Sequence, residues 1–144
     1  MNDKIQALMD FLDASHSVYH TVEYISKILD REGYTRLPEG DDWTLEDGGK
    51  YYITRNMSTV IAFRIPRGEP AGFLLSASHS DRPSFKIKEN GELESKYIRL
   101  STERYGGMLM APWMDRPLSA AGRGMVETPT GVKMKPADIA NDPT

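Results

Sequence analysis

Two amphipathic helices are predicted at the start of the chain. In the first, near residues 3–14 with Asn2 as a possible cap, apolar residues recur at the spacing that aligns them on one helical face. These residues are Ile5, Leu8, Met9 and Leu12. The second helix is predicted to begin after a cap at Ser15 or Ser17 and to end before Gly33, with an apolar stripe of its own. That stripe consists of Val18, Val22, Ile25 and Leu29. We expect the two helices to pack as a pair.

After Gly33 the apolar period changes to that of β-strands. Residues 34–37 form a short extended piece, and the β-branched and aromatic runs at 51–54 and 59–63 predict a hairpin. Residues 85–88 alternate apolar and basic side chains, as a half-exposed strand does. Asn90-Gly91 then predicts a hairpin turn, with another strand near residues 97–100.

The run from Phe73 to Ser78 is the most core-like segment, and it is predicted to be a strand buried on both faces. His79 would stand at its carboxyl end, where ligands collect in open α/β sheets. Asp81, two residues later, could accept a hydrogen bond from one ring nitrogen and leave the other able to hold a metal ion. The simpler alternative is that His79 caps a strand and residues 81–83 form a turn. The His-x-Asp spacing alone favours this simpler alternative over a metal site.

The other two histidines, His16 and His20, are four residues apart and could share one helical face, which is a spacing that some zinc sites use. Serine follows His16 where a His-Glu-x-x-His zinc motif has glutamate. The residues themselves therefore favour ordinary cap and surface roles for both histidines.

Two groups in the second half of the chain combine unusual residues. Tyr105-Gly106-Gly107 indicates a sharp turn or a close backbone approach, and it lacks the ending of a phosphate-binding loop. Trp113, Asp115 and Arg116 place an aromatic, an acid and a cation within four positions, which is typical both of ion-pair corners and of subunit contacts.

Composition removes several classes of function. The chain of 144 residues is 39% hydrophobic and 27% charged, which suits one compact core. A formal net charge of −3 argues against nucleic acid or an acidic membrane surface as the main partner. Cysteine is missing from the sequence, which excludes disulfides and thiolate metal sites within it. The first residues resemble neither a signal peptide nor a membrane span, so a cytoplasmic location is expected.

A resemblance to a known family adds to this interpretation. The segment at residues 76–88 resembles the His-Thr-Asp-Ser-Pro segment of the aspartyl aminopeptidase and vacuolar aminopeptidase I family of zinc metallopeptidases. Residues 105–107 and 113–123 resemble that family's Tyr-Gly-Gly and Trp-x-Asp-Arg-x-Leu-Ser-x-Ala-Gly-Arg signature. The opening helix, the Pro-Phe-His segment and the early hairpin of the family have counterparts here too. Together with the two motif segments, they make the resemblance cover nearly everything up to Val126.

The resemblance implies roles for individual residues. His79 would bind one of two divalent metal ions, expected to be zinc, with cobalt or manganese as alternatives that imidazole also accepts. Asp81 would orient or polarise that site, and His20 inherits the histidine of Pro-Phe-His. The implied reaction is the removal of an N-terminal residue, which could be acidic, from peptides. Trp113, Asp115 and Arg116 would be structural or interface residues of a lid or dimerisation domain, and no substrate-binding residue is assigned.

The same resemblance defines the expected architecture. The fold class is α/β, with two helices on a mixed sheet in the N-terminal part of a catalytic domain at residues 1–95, followed by an incomplete β-rich lid or dimerisation domain at 96–144. Ser80 stands where the family has Thr, and Arg82 where a small Ser is typical.

Because the family's other metal ligands lie farther along longer chains, we expect this chain to be a truncated, inactive part of an aminopeptidase that forms homo-oligomers. The alternative is a non-catalytic oligomerisation or interaction module that retains the scaffold.

Overall fold

The computed structural model describes residues 2–93 and 95–139. Two α-helices, seven β-strands and one 3-10 helix are found there. In chain order they are α1 Asp3–Ala14, α2 Val18–Arg31, β1 Thr35–Arg36, β2 Lys50–Arg55, β3 Thr59–Arg64, β4 Ser84–Leu93, β5 Arg99–Tyr105, the 3-10 helix Ala111–Trp113, β6 Ala121–Thr128 and β7 Gly131–Asp138. The predicted α/β fold class is confirmed. Neither helix in this part of the chain is long and apolar enough to cross a membrane.

The chain divides into two compact units. The first contains Met1–Ser80 together with Ser119–Thr144, and the second contains Asp81–Leu118. The domain division expected from the sequence, between residues 95 and 96, stays a prediction. Residues 140–144, the end of the expected second domain, lie outside the described residues.

Both predicted helices form within the expected bounds. The side chain of Asn2 accepts a hydrogen bond from the amide of Lys4, which caps α1. Gly33 follows α2 with a φ of 74°, a left-handed conformation that glycine adopts without a steric penalty. The helices contact each other, with the ring of Phe11 edge-on to that of Tyr24 at a centroid distance of 5.6 Å. The apolar stripe of α1 nevertheless remains about half exposed.

The first unit contains a mixed sheet in the order β1, β2, β3. β1 runs parallel to β2, and β2 pairs antiparallel with β3 from Lys50 opposite Arg64 to Arg55 opposite Thr59. Asn56 and Met57 turn the chain between them with φ angles of 52° and 57°. The predicted hairpin is therefore confirmed, with one or two more residues in each strand than the apolar pattern indicated.

Tyr52 holds the sheet against α2. It is only 1% exposed, and its hydroxyl donates a hydrogen bond to Oδ1 of Asp30 at 2.8 Å. Val22 of α2 and Tyr51 of β2 are the other buried apolar residues in the described part of the chain. The core is thus small, and a single aromatic side chain supplies much of its buried area.

Polar contacts attach the antiparallel β6–β7 hairpin to the rest of the first unit. The guanidinium of Arg123 in β6 lies over the ring of Tyr19 at 4.6 Å and donates a hydrogen bond to the carbonyl of Asn56 at 2.5 Å. Asp138, at the end of β7, forms an ion pair with Nδ1 of His16. The hairpin is therefore tied both to the start of α2 and to the β2–β3 turn.

The strand predicted for residues 73–78 is wrong. These residues form no strand, and Phe73, Leu74 and Leu75 are 96%, 100% and 88% exposed. A doubly buried strand needs a hydrogen-bonded neighbour and a layer on each face. Neither is provided by the residues that the structure describes, so apolar composition alone does not make this segment a strand. The prediction that His79 ends a strand fails with it.

The second unit is built on the antiparallel pair β4–β5. Ser84 lies opposite Tyr105, and the register shifts between Ile87 and Glu92. Asn90, with a φ of 48°, lies within this irregular part of β4, so the hairpin turn predicted at Asn90-Gly91 is wrong. A bulge accommodates the left-handed residue that the sequence pattern had assigned to a turn.

Two other features hold the second unit together. The rings of Phe85 and Trp113 meet edge to face at a centroid distance of 5.4 Å, which attaches the 3-10 helix to β4. Gly106, directly after β5, has a φ of 77°, and a Cβ atom there would lie 3.4 Å from Cα of Pro83. Of the two alternatives predicted for Tyr105-Gly106-Gly107, the sharp turn is present at Gly106, whereas the contact with Pro83 is an ordinary van der Waals contact.

Replacing Tyr52 with Phe should make stability less dependent on alkaline pH. Burial, and then the hydrogen bond to Asp30, raise the pKa of Tyr52 above its usual value. A group whose pKa is higher in the folded state stabilises the fold below its unfolded pKa, about 10, and loses that contribution as pH rises through the folded pKa. Near neutral pH we expect Tyr52→Phe to cost about 1 kcal/mol through the lost hydrogen bond.

Urea unfolding on either side of pH 10 measures this effect. The free energy of unfolding should fall less steeply with pH in Tyr52→Phe than in the parent chain. Tyr97→Phe is the matched control, because Tyr97 is 79% exposed. Equal pH slopes for all three proteins would contradict the prediction.

Gly106→Ala should destabilise the second unit by about 1–2 kcal/mol, since a left-handed backbone costs a residue with a Cβ atom that much. Gly107→Ala is the matched control, because a Cβ atom at Gly107 would meet nothing within 4 Å. Urea unfolding followed by Trp113 fluorescence, in a Trp43→Phe background, reports on the second unit. Equal shifts in the unfolding midpoint for the two alanine variants would refute this explanation of Gly106.

Candidate functional site

His79 lies in an extended segment near the boundary of the first unit, and the residue after it is anchored. The hydroxyl of Ser80 donates a hydrogen bond to the carbonyl of Ser58 at 3.0 Å. Ser58 is itself held by a backbone hydrogen bond from its amide to the carbonyl of Arg55, at the β2–β3 turn. His79 is exposed. The backbone of its segment is therefore fixed by a side chain rather than by strand pairing.

Asp81 is the first residue of the second unit, and Tyr105 engages its carboxylate. The hydroxyl of Tyr105 donates a hydrogen bond to Oδ2 of Asp81 at 2.5 Å, within the range of hydroxyl–carboxylate bonds. This bond is the main reason that the pKa of Tyr105 is raised, because ionising the phenol would break it beside a negative charge.

Sequence reasoning did not identify the contact between Asp81 and Tyr105. Two signals could have indicated it. Tyr105 precedes a glycine in a left-handed turn, and the β4–β5 pairing places it opposite Ser84, three residues after Asp81. The first signal was visible in the sequence, but the register was not, because it depends on a bulge that the pattern had assigned to a turn.

The cations near this segment differ in their surroundings. Nζ of Lys86 lies 3.6 Å from Oε1 of Glu103, the residue opposite it on β5. Lys88 and Arg82 are exposed. Lys86 therefore has an acidic partner of its own, although an exposed pair of this kind contributes little stability.

The remaining histidines lie together at the start of α2. The rings of His16 and His20 are 5.8 Å apart between centroids. His16 precedes the helix and is paired with Asp138, while Nδ1 of His20 lies 2.8 Å from the hydroxyl of Ser17 at the helix cap. Both histidines are half-buried, and their assignment to cap and surface roles stays a prediction.

Trp113, Asp115 and Arg116 form a local corner in the second unit. Trp113 packs on Phe85, Asp115 adopts a φ of 54°, and Nη1 of Arg116 donates a hydrogen bond to the carbonyl of Pro112 at 3.1 Å. Their assignment as structural or interface residues stays a prediction.

A complete zinc site does not fit the residues that the structure describes. A catalytic zinc ion normally has three protein ligands. Across residues 2–93 and 95–139, no group of three or more histidine, aspartate or glutamate side chains is placed to hold a metal ion. His79 could donate an imidazole nitrogen, but further ligands would have to come from outside this part of the chain.

The chain is similar to curated aminopeptidases and to solved structures. A "Probable M18 family aminopeptidase 2" of Clostridium novyi (strain NT) is 43% identical over 130 residues, which cover 85% of this chain and 30% of that protein. A cryo-EM structure of the Ape4 and Nbr1 complex matches with a TM-score of 0.84 and 35% identity over 93% of this chain and 27% of that one. The S. cerevisiae mApe1 dodecamer matches with a TM-score of 0.79 and 29% identity, over 94% and 33% of the two chains.

The chain thus spans less than a third of the length of the Clostridium relative. The model of the family described as "Aminopeptidase I zinc metalloprotease (M18)" matches residues 11–144, which is most of the chain. The order of elements, the two motif segments and this match agree, and the chain belongs to the M18 aminopeptidase family.

Proposed function

We propose that this chain is the N-terminal part of a metal-dependent aminopeptidase, in which His79 is a metal ligand and Asp81 is the carboxylate that supports it. The observation that carries the proposal is the anchoring of residues 79–81. Ser80 is bonded to the β2–β3 turn, and Asp81 is bonded to Tyr105. Each of the two residues that follow the candidate ligand is thus held by a side-chain hydrogen bond within its own unit, and such bonds support the residues of a functional site.

The proposal also covers the number of metal ions and the source of their remaining ligands. The family name supports zinc as the metal, and two ions per site are the expectation from the resemblance. Since the described residues do not gather three ligands, we propose that they are inactive as a peptidase by themselves and that His79 contributes one ligand to a centre completed by other residues.

Peptides with a free amino terminus are the proposed substrates, and a homo-oligomer is the proposed assembly. One structural relative is a dodecamer by its title, which supports self-association in this family. An acidic preference at the removed residue gains no support from Lys86, which already faces Glu103. The cytoplasmic location expected from the sequence stays a prediction.

A non-catalytic assembly module is the second candidate, and one observation favours it. Phe73, Leu74 and Leu75 are almost fully exposed, and the apolar stripe of α1 is about half exposed. Apolar surface of this kind usually marks an interaction site. A module would use this surface and would need no metal at His79.

Zinc titration followed by NMR of the histidine side chains tests the first proposal. In the parent chain, the imidazole resonances of His79 should shift before those of His16 and His20, and the response should disappear in His79→Ala. His20→Ala is the matched control and should leave the response of His79 unchanged. Zinc content after dialysis should be below one equivalent, because a single imidazole cannot form a closed site.

Hydrolysis of aspartyl and leucyl p-nitroanilides, with and without added metal, completes the test. We expect no turnover by the 144-residue chain. Turnover that His79→Ala abolishes would overturn the proposal that these residues need further ligands. A defined oligomer in which zinc moves the resonances of His16 and His20 but not those of His79 would favour the assembly module.

A further inference from the structure

We propose that Tyr105 is a positioning residue for Asp81, and that the turn at Tyr105-Gly106-Gly107 places the Tyr105 hydroxyl against the Asp81 carboxylate. The inference rests on the proposed function of Asp81. It gives a role to the Tyr105-Gly106-Gly107 segment, which has none in the proposed function itself. Its basis is the 2.5 Å hydrogen bond from the Tyr105 hydroxyl to Oδ2 of Asp81.

The geometry around Gly106 explains why a glycine follows the tyrosine. Tyr105 is the last residue of β5 and pairs with Ser84, the first residue of β4. Where the chain leaves β5 beside Pro83, Gly106 adopts a φ of 77°, a left-handed conformation that favours glycine, and an added Cβ atom would be in ordinary van der Waals contact with Pro83 at 3.4–3.5 Å. The strand end and the residues just before β4 are thereby held side by side, which brings the tyrosine hydroxyl to Asp81.

The hydroxyl has a specific consequence for the carboxylate. It donates a hydrogen bond to Oδ2, so it restricts rotation of the Asp81 side chain and holds in one orientation a carboxylate whose oxygens are acceptors for an imidazole N–H. Groups that orient a metal-ligating histidine affect metal affinity, typically by about 10–100-fold when they are changed. Tyr105 acts one step farther away, through Asp81.

The first test needs no metal. In the parent chain, the three-bond couplings of Asp81 should report one χ1 rotamer, and the hydroxyl proton of Tyr105 should be observable far downfield. In Tyr105→Phe the Asp81 couplings should average between rotamers, and the downfield proton should be lost. Tyr97→Phe removes an exposed hydroxyl from the same unit and should change neither signal. Rotamer averaging in the parent, or unchanged couplings in Tyr105→Phe, would overturn the inference.

The second test asks whether Tyr105 acts through Asp81. The apparent zinc dissociation constant, obtained from the His79 resonances, should rise about 10-fold in Asp81→Asn and by a smaller factor in Tyr105→Phe. The double variant should bind no more weakly than Asp81→Asn alone, because the tyrosine has lost the group through which it acts. Additive losses would indicate a general structural role and would refute the inference.

The two proposals fail in different ways. If zinc does not perturb His79 in the parent chain, the proposed metal site is wrong, while the rotamer measurement still decides whether Tyr105 fixes Asp81. If zinc binds at His79 but Tyr105→Phe leaves both the rotamer and the affinity unchanged, only the role of Tyr105 is wrong. Urea unfolding of each variant identifies any loss that arises from unfolding of the second unit.

Discussion

The first unit depends on the burial of Tyr52 between the mixed sheet and α2. Its ring is almost completely removed from water, and its hydroxyl is bonded to Asp30, so burial and hydrogen bonding act on the same side chain. Tyr52 belongs to β2, and β2 leads into the turn before β3. Carbonyl groups of that turn accept hydrogen bonds from Ser80 and Arg123. The position of the segment that contains His79 therefore depends on a side chain of the core, through one hairpin.

The balance between apolar and polar contacts is unusual in both units. A chain of this size could bury a larger core than Val22, Tyr51 and Tyr52, and many large apolar side chains remain exposed in the described residues. Attachment of the later segments is instead polar or aromatic: Arg123 on Tyr19 in the first unit, and Trp113 on Phe85 in the second. Directional contacts of this kind fix geometry with little buried area, and they leave the apolar surface available for other parts of the protein or for partners.

The sequence predicted the elements whose signals are local. Helix caps, the helical period and the Gly33 stop act within a few residues, and the helices and the β2–β3 hairpin formed as expected. The failures involved distant partners. Phe73–Ser78 has the composition of a buried strand, but pairing depends on another strand that periodicity does not reveal, and Asn90-Gly91 has the composition of a turn while β5 extends the ladder past it. For the candidate site, the sequence singled out residues 79 and 81 and the turn that begins at residue 105. The hydrogen bond between Tyr105 and Asp81 could not be predicted, because it depends on the pairing register of β4 and β5.

The two departures from the family pattern at residues 80 and 82 have different physical weight. The bond to Ser58 needs only a hydroxyl oxygen on the side chain, and serine provides this as threonine does, so Ser80 preserves the donor. Arg82 adds a long cation where the family has a small residue, but it is exposed, so its charged end can be hydrated instead of being buried beside His79. Residue 80, where the side chain still ends in a hydroxyl, is thus the position that anchors the chain. Residue 82, where the charge differs, is at the surface. On this basis the hydrogen bond that anchors Ser80 to the β2–β3 turn is compatible with the departure from the family pattern at residue 80.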